Sequence, residues 1–172
     1  MPTNSLDIFD KVTKQWFSKN LGTPTAVQQE AWPAIALGKH TLVSAPTGTG
    51  KTLSAFLVFI DQLKEQARKG TLKQELQLIY ISPLKSLAGD IRENLRRPLN
   101  GIFEEERSLN PGTRSMPYDI TVAIRTGDTS ASDRRNMIKT PPHILITTPE
   151  SLYLMLTSKS GQSILHLSLI HI

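Results

Sequence analysis

The residues best equipped for chemistry form one run, Ala45-Pro46-Thr47-Gly48-Thr49-Gly50-Lys51-Thr52. Glycines at alternate positions can take backbone angles that turn successive N–H groups inward, which makes a nest for an anion. Lys51 adds a mobile cation and Thr52 a hydroxyl suited to a hard divalent ion. The preceding TLVSA reads as a strand and the following LSAFLVFIDQLKEQ as a helix, whose N-terminus adds about half a positive charge at the same point. Strand, glycine-containing loop, helix is the order that a phosphate-binding loop requires. The natural occupant is a phosphate chain with Mg²⁺: Thr47, Gly48, Thr49 and Gly50 cradle the phosphates, Lys51 reaches the β- and γ-phosphates, and Thr52 ligates the metal, which makes Lys51 and Thr52 the catalytic candidates. The usual pattern opens with Gly where this loop has Ala45, a departure that bears on classification more than on chemistry.

Other positions extend the site. In Pro24-Thr25-Ala26-Val27-Gln28, the Gln28 amide offers a donor and an acceptor together, matching the edge of adenine, while Thr25 doubles as a helix N-cap. Trp16 and Phe17 could stack on a base, but an apolar pair at the end of an amphipathic helix reads better as core. Pro83, Leu84, Lys85 and Ser86 fall where a strand gives way to a helix, and free N–H groups there suit a nucleic-acid phosphate. Thr126-Gly127-Asp128 and Thr148-Pro149-Glu150 follow the next two strands and suit the same partner, with a plain helix cap as the alternative at each. Arg92, Arg96, Arg97, Arg134 and Arg135 read as solvated helix faces or local ion pairs, and the four His are too scattered for a triad or a metal site.

These residues need a scaffold. Short β-branched or Leu-rich runs at 40–44, 76–82, 119–125 and 143–148 alternate with helical stretches at 51–69, 85–109, 130–139 and 149–158. Such alternation implies an α/β fold with a parallel sheet and helices on both faces, where ligands gather at the carboxyl ends of the strands. Helices at 6–20 and 25–37 precede the first strand, the second closed by Gly38, and 110–119 reads as a surface loop.

Composition bounds the rest. The 172 residues include no Cys, which excludes a thiol nucleophile, a Cys-ligated zinc and an iron–sulfur cluster. The longest apolar run, 55–60, is far short of the ~20 residues of a membrane span, and the start MPTNSLDIFDK lacks the pattern of a secretory signal, so a cytoplasmic globular protein is expected. The net charge of +5 is spread along the chain and by itself says little about nucleic acid.

The ordered set PTAVQ, APTGTGKT, ISPLKSLAGD, RTGDT and TTPESL resembles the first RecA-like domain of superfamily 2 DEAD/DEAH-type helicases. The wording of WFSKNLGTPTAVQQEAWPAIALGKHTLVSAPTGTGKTLSAFL and PPHILITTPESLYLMLTSKSG is similar to the large helicase-related (Lhr) proteins. The resemblance implies a P-loop motor domain at 1–166 of an ATP-dependent, 3′-to-5′ DNA helicase or translocase. Gln28 would then read adenine, and the loops at 83–86, 126–128 and 148–150 would hold the backbone of single-stranded DNA. An RNA helicase and a non-hydrolysing binding module are the alternatives, and a kinase would need none of the downstream motifs.

In the family an Asp-Glu box lies on the strand after the TPESL helix, expected roughly 10–15 residues beyond Ser160, and a second RecA-like domain follows in cis. Neither is in this sequence, so the reading expects a domain truncated before the Walker B strand and inactive alone. Residues 167–172, LSLIHI, back-translate as CTG TCT CTT ATA CAC ATC, a transposon end used in preparing sequencing libraries. They are expected to be adapter read-through, with a natural amphipathic tail as the alternative.

Overall fold

The computed structural model describes residues 5–46, 48–83, 85–109, 120–165 and 170–171, with the backbone alone for 85–94 and 170–171. The chain divides into two compact units, Met1–Arg68 with Asn94–Tyr118 and Lys69–Glu93 with Asp119–Ile172.

The first unit is helical. A 3-10 turn at Ser5–Ile8 leads to α1 (Lys11–Leu21), where the Asp10 carboxylate accepts the Thr13 N–H at 2.9 Å as N-cap, so the single helix expected over 6–20 is broken before Lys11. Helix α2 (Ala26–Ala36) begins at Thr25 and ends with Gly38 at φ 69° beyond its last turn, as its sequence implies. Helix α3 (Lys51–Arg68) buries Phe56, Leu57, Val58, Phe59, Ile60 and Leu63. The core closes on Trp32, fully buried, with Phe9 and Phe17 edge-on to it at 4.9 and 5.4 Å between ring centroids. Phe17 is therefore core and does not stack on a ligand. Lys64, 1% exposed, is held by Asp10, by Asp61 at 3.6 Å and by the Thr13 hydroxyl at 3.1 Å.

The second unit carries a four-stranded parallel sheet, β1 (Leu78–Ile81), β2 (Val122–Arg125), β3 (Ile144–Thr147) and β4 (Ile170–His171), in the order β2-β3-β1-β4. All four residues of β3 are buried, as a strand covered on both faces requires. On one face Leu76, Ile79 and Leu145 pack with Met155 of α6 (Pro149–Thr157) and Ile164 of α7 (Lys159–Leu165), and Ala123 and Met137 of α5 (Ala131–Lys139) lie against them. Helix α4 (Lys85–Leu109) starts in this unit and passes into the first at Asn94.

One further expectation differs from the structure. Residues 40–44 form no strand: the segment makes no ladder among the described residues, and Leu42 is 94% exposed. A strand exists only as one side of a ladder, and an apolar pattern without a partner leaves its N–H and C=O groups to water. Beyond the helix expected at 149–158, α7 follows α6 across Ser158, whose extended backbone (φ −106°, ψ 140°) separates the two. The loop expected at 110–119 lies outside the described residues, as does most of 167–172, although Ile170 and His171 pair with Leu78 and Ile79.

Candidate functional site

In the first unit, the glycine-containing loop leads directly into α3. Gly48 and Gly50 have φ of 81° and 84°, the left-handed region expected of a nest. The first bond of α3 described here runs from the Ser54 N–H to the Gly50 carbonyl at 2.9 Å, so the N–H groups of Lys51, Thr52 and Leu53 have no acceptor within the helix. Thr49 closes the loop by donating its hydroxyl to the Pro46 carbonyl at 2.8 Å. Lys51 donates to the carbonyls of Ala45 and Pro46, the second at 2.5 Å, so its ammonium sits at the loop. Thr52 is exposed on the first turn of α3, and Thr47 lies outside the described residues.

Helix α2 is tied to this loop. Thr25 and Gln28 form a capping box: the Gln28 N–H donates to the Thr25 hydroxyl at 3.3 Å, and the Thr25 N–H donates to the Gln28 Oε1 at 3.0 Å. The Thr25 hydroxyl also donates to the Thr49 carbonyl at 3.0 Å. A Cβ on Gly50 would stand 2.6 Å from the Gln28 Nε2, so the loop and the glutamine amide are in direct contact. Gln28 is 4% exposed with its acceptor taken by Thr25. Beside the loop lies a cleft of about 450 Å³ bordered by Trp16 and Asn20 of α1, Gly48, Lys51 and Thr52, and Arg97 of α4. Trp16 is 5% exposed: it is largely core, yet it borders the cleft.

In the second unit, the predicted loops share one edge. Ile81 and Arg125 both pair with Thr147, so β1, β2 and β3 end in line and Pro83, Thr126 and Thr148 all follow their carboxyl ends. Neighbouring parallel strands are about 4.8 Å apart, which brings the three loops within reach of one strand of nucleic acid. Pro83 is exposed, Leu84 lies outside the described residues, and Lys85 and Ser86 open α4. Gly127, Asp128, Pro149 and Glu150 are exposed. Thr148 is 2% exposed, and its hydroxyl accepts the Ser151 N–H at 3.3 Å as the N-cap of α6. Its side chain therefore serves the cap, and the exposed backbone after it is what the edge presents.

Arg134, read from sequence as a solvated helix face or local ion pair, is tied to a loop, and Arg125 of RTGDT, given no role of its own in the sequence, is buried. Arg134 donates from Nη2 to the carbonyls of Gly127 at 2.8 Å and Thr126 at 3.4 Å, fixing that loop from α5. Arg125 is 9% exposed at the end of β2, and burial, with Arg134 second, holds its guanidinium below its ordinary pKa. The one signal available in the sequence was spacing, since Arg134 lies seven residues beyond Gly127 and a single helical turn brings it back over the loop. His143 is structural: it is 2% exposed, and its Nδ1 accepts the Thr121 N–H at 3.0 Å where β2 and β3 begin.

Residues 25–170 match the DEAD/DEAH box helicase family. An Lhr helicase of Mycolicibacterium smegmatis is 48% identical over 168 residues, covering 95% of this chain and 11% of the relative. The ATP-dependent helicase Lhr-Core of Methanocaldococcus jannaschii is 41% identical over 160 residues, covering 92% of this chain and 18% of the relative. Among solved structures, Mycobacterium smegmatis helicase Lhr bound to ssDNA and AMP-PNP superposes with a TM-score of 0.86 at 44% identity, over 98% of this chain and 20% of that one. This chain thus spans less than a fifth of the length of these two curated relatives. With the parallel sheet, the loop at the head of α3 and the aligned strand ends, these matches place the chain in the DEAD/DEAH box helicase family, as an Lhr-type RecA-like domain.

Proposed function

We propose that this chain is the ATP-binding motor domain of an ATP-dependent helicase or translocase acting 3′ to 5′ on single-stranded DNA. The observation that carries the reading is the direct tie between the capping box of α2 and the loop: Thr25 bonds to Thr49, and Gln28 abuts Gly50. A base-reading glutamine coupled to a phosphate nest makes one nucleotide site of two motifs. Phosphates entering the nest would replace the loop carbonyls as partners of Lys51, since an anion is the stronger acceptor for an ammonium. Thr25 and Gln28 favour adenine once the Gln28 amide turns from its cap to the base edge.

Mg²⁺ fits the residues present, because this ion takes few protein ligands beside phosphate oxygens and the Thr52 hydroxyl is exposed at the nest. When bound it would neutralise charge building on the phosphates. The backbone of single-stranded DNA is assigned to Pro83, Leu84, Lys85 and Ser86, to Thr126, Gly127 and Asp128, and to Thr148, Pro149 and Glu150. The solved Lhr structure that matches this chain holds ssDNA and AMP-PNP, which supports both ligands.

The second RecA-like domain in cis would complete the nucleotide pocket, so residues 1–166 alone should bind ATP weakly and turn over almost none. The test joins this domain to such a partner domain and compares hydrolysis with oligo-dT and oligo-U. The reading expects stimulation by DNA well above that by RNA, whereas a preference for RNA makes the protein an RNA helicase. Binding of both ligands with no turnover in the joined protein would leave a non-hydrolysing module.

A further inference from the structure

Thr147 ends β3, between β1 and β2, at the edge from which the three loops leave the sheet, and it is 1% exposed. It is bonded to both neighbouring strands. Its carbonyl accepts the N–H of Ser82, the residue before Pro83, at 3.0 Å. Its hydroxyl donates to the carbonyl of Arg125, the residue before Thr126, at 2.8 Å. The first bond is made by backbone and is open to any residue, whereas the second belongs to the side chain. One buried hydroxyl therefore ties the last carbonyl of β2 to the last residue of β3.

The loop after β2 is otherwise held by its own residues and by α5. The Thr126 N–H donates to the Thr129 hydroxyl at 2.8 Å, and the Thr126 carbonyl accepts the Thr129 N–H at 3.2 Å. The Gly127 carbonyl accepts Nη2 of Arg134 at 2.8 Å. The loop is thus a preformed piece, and at the edge the Thr147 hydroxyl joins it to the strand that leads into Thr148.

We propose that Thr147 is a positioning residue for nucleic-acid binding: its hydroxyl sets the loop at 126–128 against the loop at 148–150, so that both meet one strand of DNA together. Buried as it is, Thr147 acts through the Arg125 carbonyl and not by touching the strand. Loops held in place before the ligand arrives spare the complex the cost of ordering them. The inference rests on the reading that this edge meets nucleic acid, and it adds a residue that lies behind the contacts proposed there.

The test is fluorescence anisotropy of labelled oligo-dT with the 172-residue chain at a series of KCl concentrations. Wild type is compared with Thr147→Val, Thr147→Ser and Thr147→Ala, each checked for fold by circular dichroism and for stability by urea unfolding. Thr and Val differ by the hydroxyl at similar volume, and Ser and Ala differ by the hydroxyl alone. Wild type and Thr147→Ser should bind alike, with Thr147→Val and Thr147→Ala roughly three- to tenfold weaker, the worth of one hydrogen bond. The slope of log affinity against log salt should not change, because no charge is removed. A purely structural role would not give this order, since Thr147→Ser loses a buried methyl and the stability that goes with it. If Thr147→Val fails to fold, the Ser and Ala pair decides the matter. Folded Val and Ala variants with wild-type affinity, or a Ser variant as weak as Ala, would overturn the inference and leave the DNA reading intact. A wild-type chain with no salt-dependent binding would overturn both.

Discussion

At the scale of residues, several side chains do two jobs, and only one of the two is visible in the sequence. Gln28 has the donor and acceptor suited to adenine, yet in the fold its Oε1 completes a capping box and its Nε2 meets Gly50. Thr148 has the hydroxyl suited to phosphate, yet it caps α6 from a buried position. The loop itself was legible, because positive φ at alternate residues demands glycine and the sequence provides it at Gly48 and Gly50. Arg125 and Arg134 were not, since burial depends on which helix covers which strand. Away from the site, Asp61 has its pKa raised above the ordinary 3.8, chiefly by burial, against the lowering pull of the Thr13 hydroxyl and Lys64. The folded state therefore keeps this proton to a higher pH than the unfolded state. The stability it contributes is present in acid and lost as pH rises from 3.8 through the folded value. Thermal melts at stepped pH should show Asp61→Asn without that decline, and a slope equal to that of wild type would refute the assignment.

At the scale of elements, what could be read was what local pattern decides. Helices α1 to α6 and strands β1 to β3 sit within a few residues of their expected places, because their apolar periods and caps are local. The run at 40–44 has the pattern of a strand, but pairing belongs to two segments and no described residue pairs with it. The opposite case is α7, whose polar sequence KSGQSIL gives a weak signal and whose place is set by contact. A Cβ on Gly161 would stand 2.3 Å from the Met155 carbonyl oxygen, so α7 packs on the backbone of α6 through a missing side chain. Gly161→Ala should gain up to about 1 kcal/mol in helix propensity and still lose about 1–3 kcal/mol overall, because backbone cannot yield as a side chain can. Urea unfolding measures this, and a variant as stable as wild type would show that the two helices are not so closely packed.

At the scale of the molecule, the chain divides its chemistry between two units, a nucleotide loop with its capping box in one and an aligned edge of strand ends in the other. The order β2-β3-β1-β4 could not be read from the sequence, since strand order is settled by crossovers between distant segments. No described helix is long and apolar enough to cross a membrane. The diffuse net charge of +5 points to neither of the proposed ligands. The nucleotide site is where the proposed function is tested most directly. Isothermal titration of ATP with Mg²⁺ into the 172-residue chain, beside Lys51→Ala and Gly50→Ala, tests it. Removing the lysine takes away the cation, and a Cβ at Gly50 meets Gln28 at 2.6 Å in a backbone conformation that alanine resists. Weak one-to-one binding by wild type that both substitutions reduce at least tenfold is the predicted result. Binding unchanged in both variants, or none by wild type, would contradict the assignment of ATP to this loop.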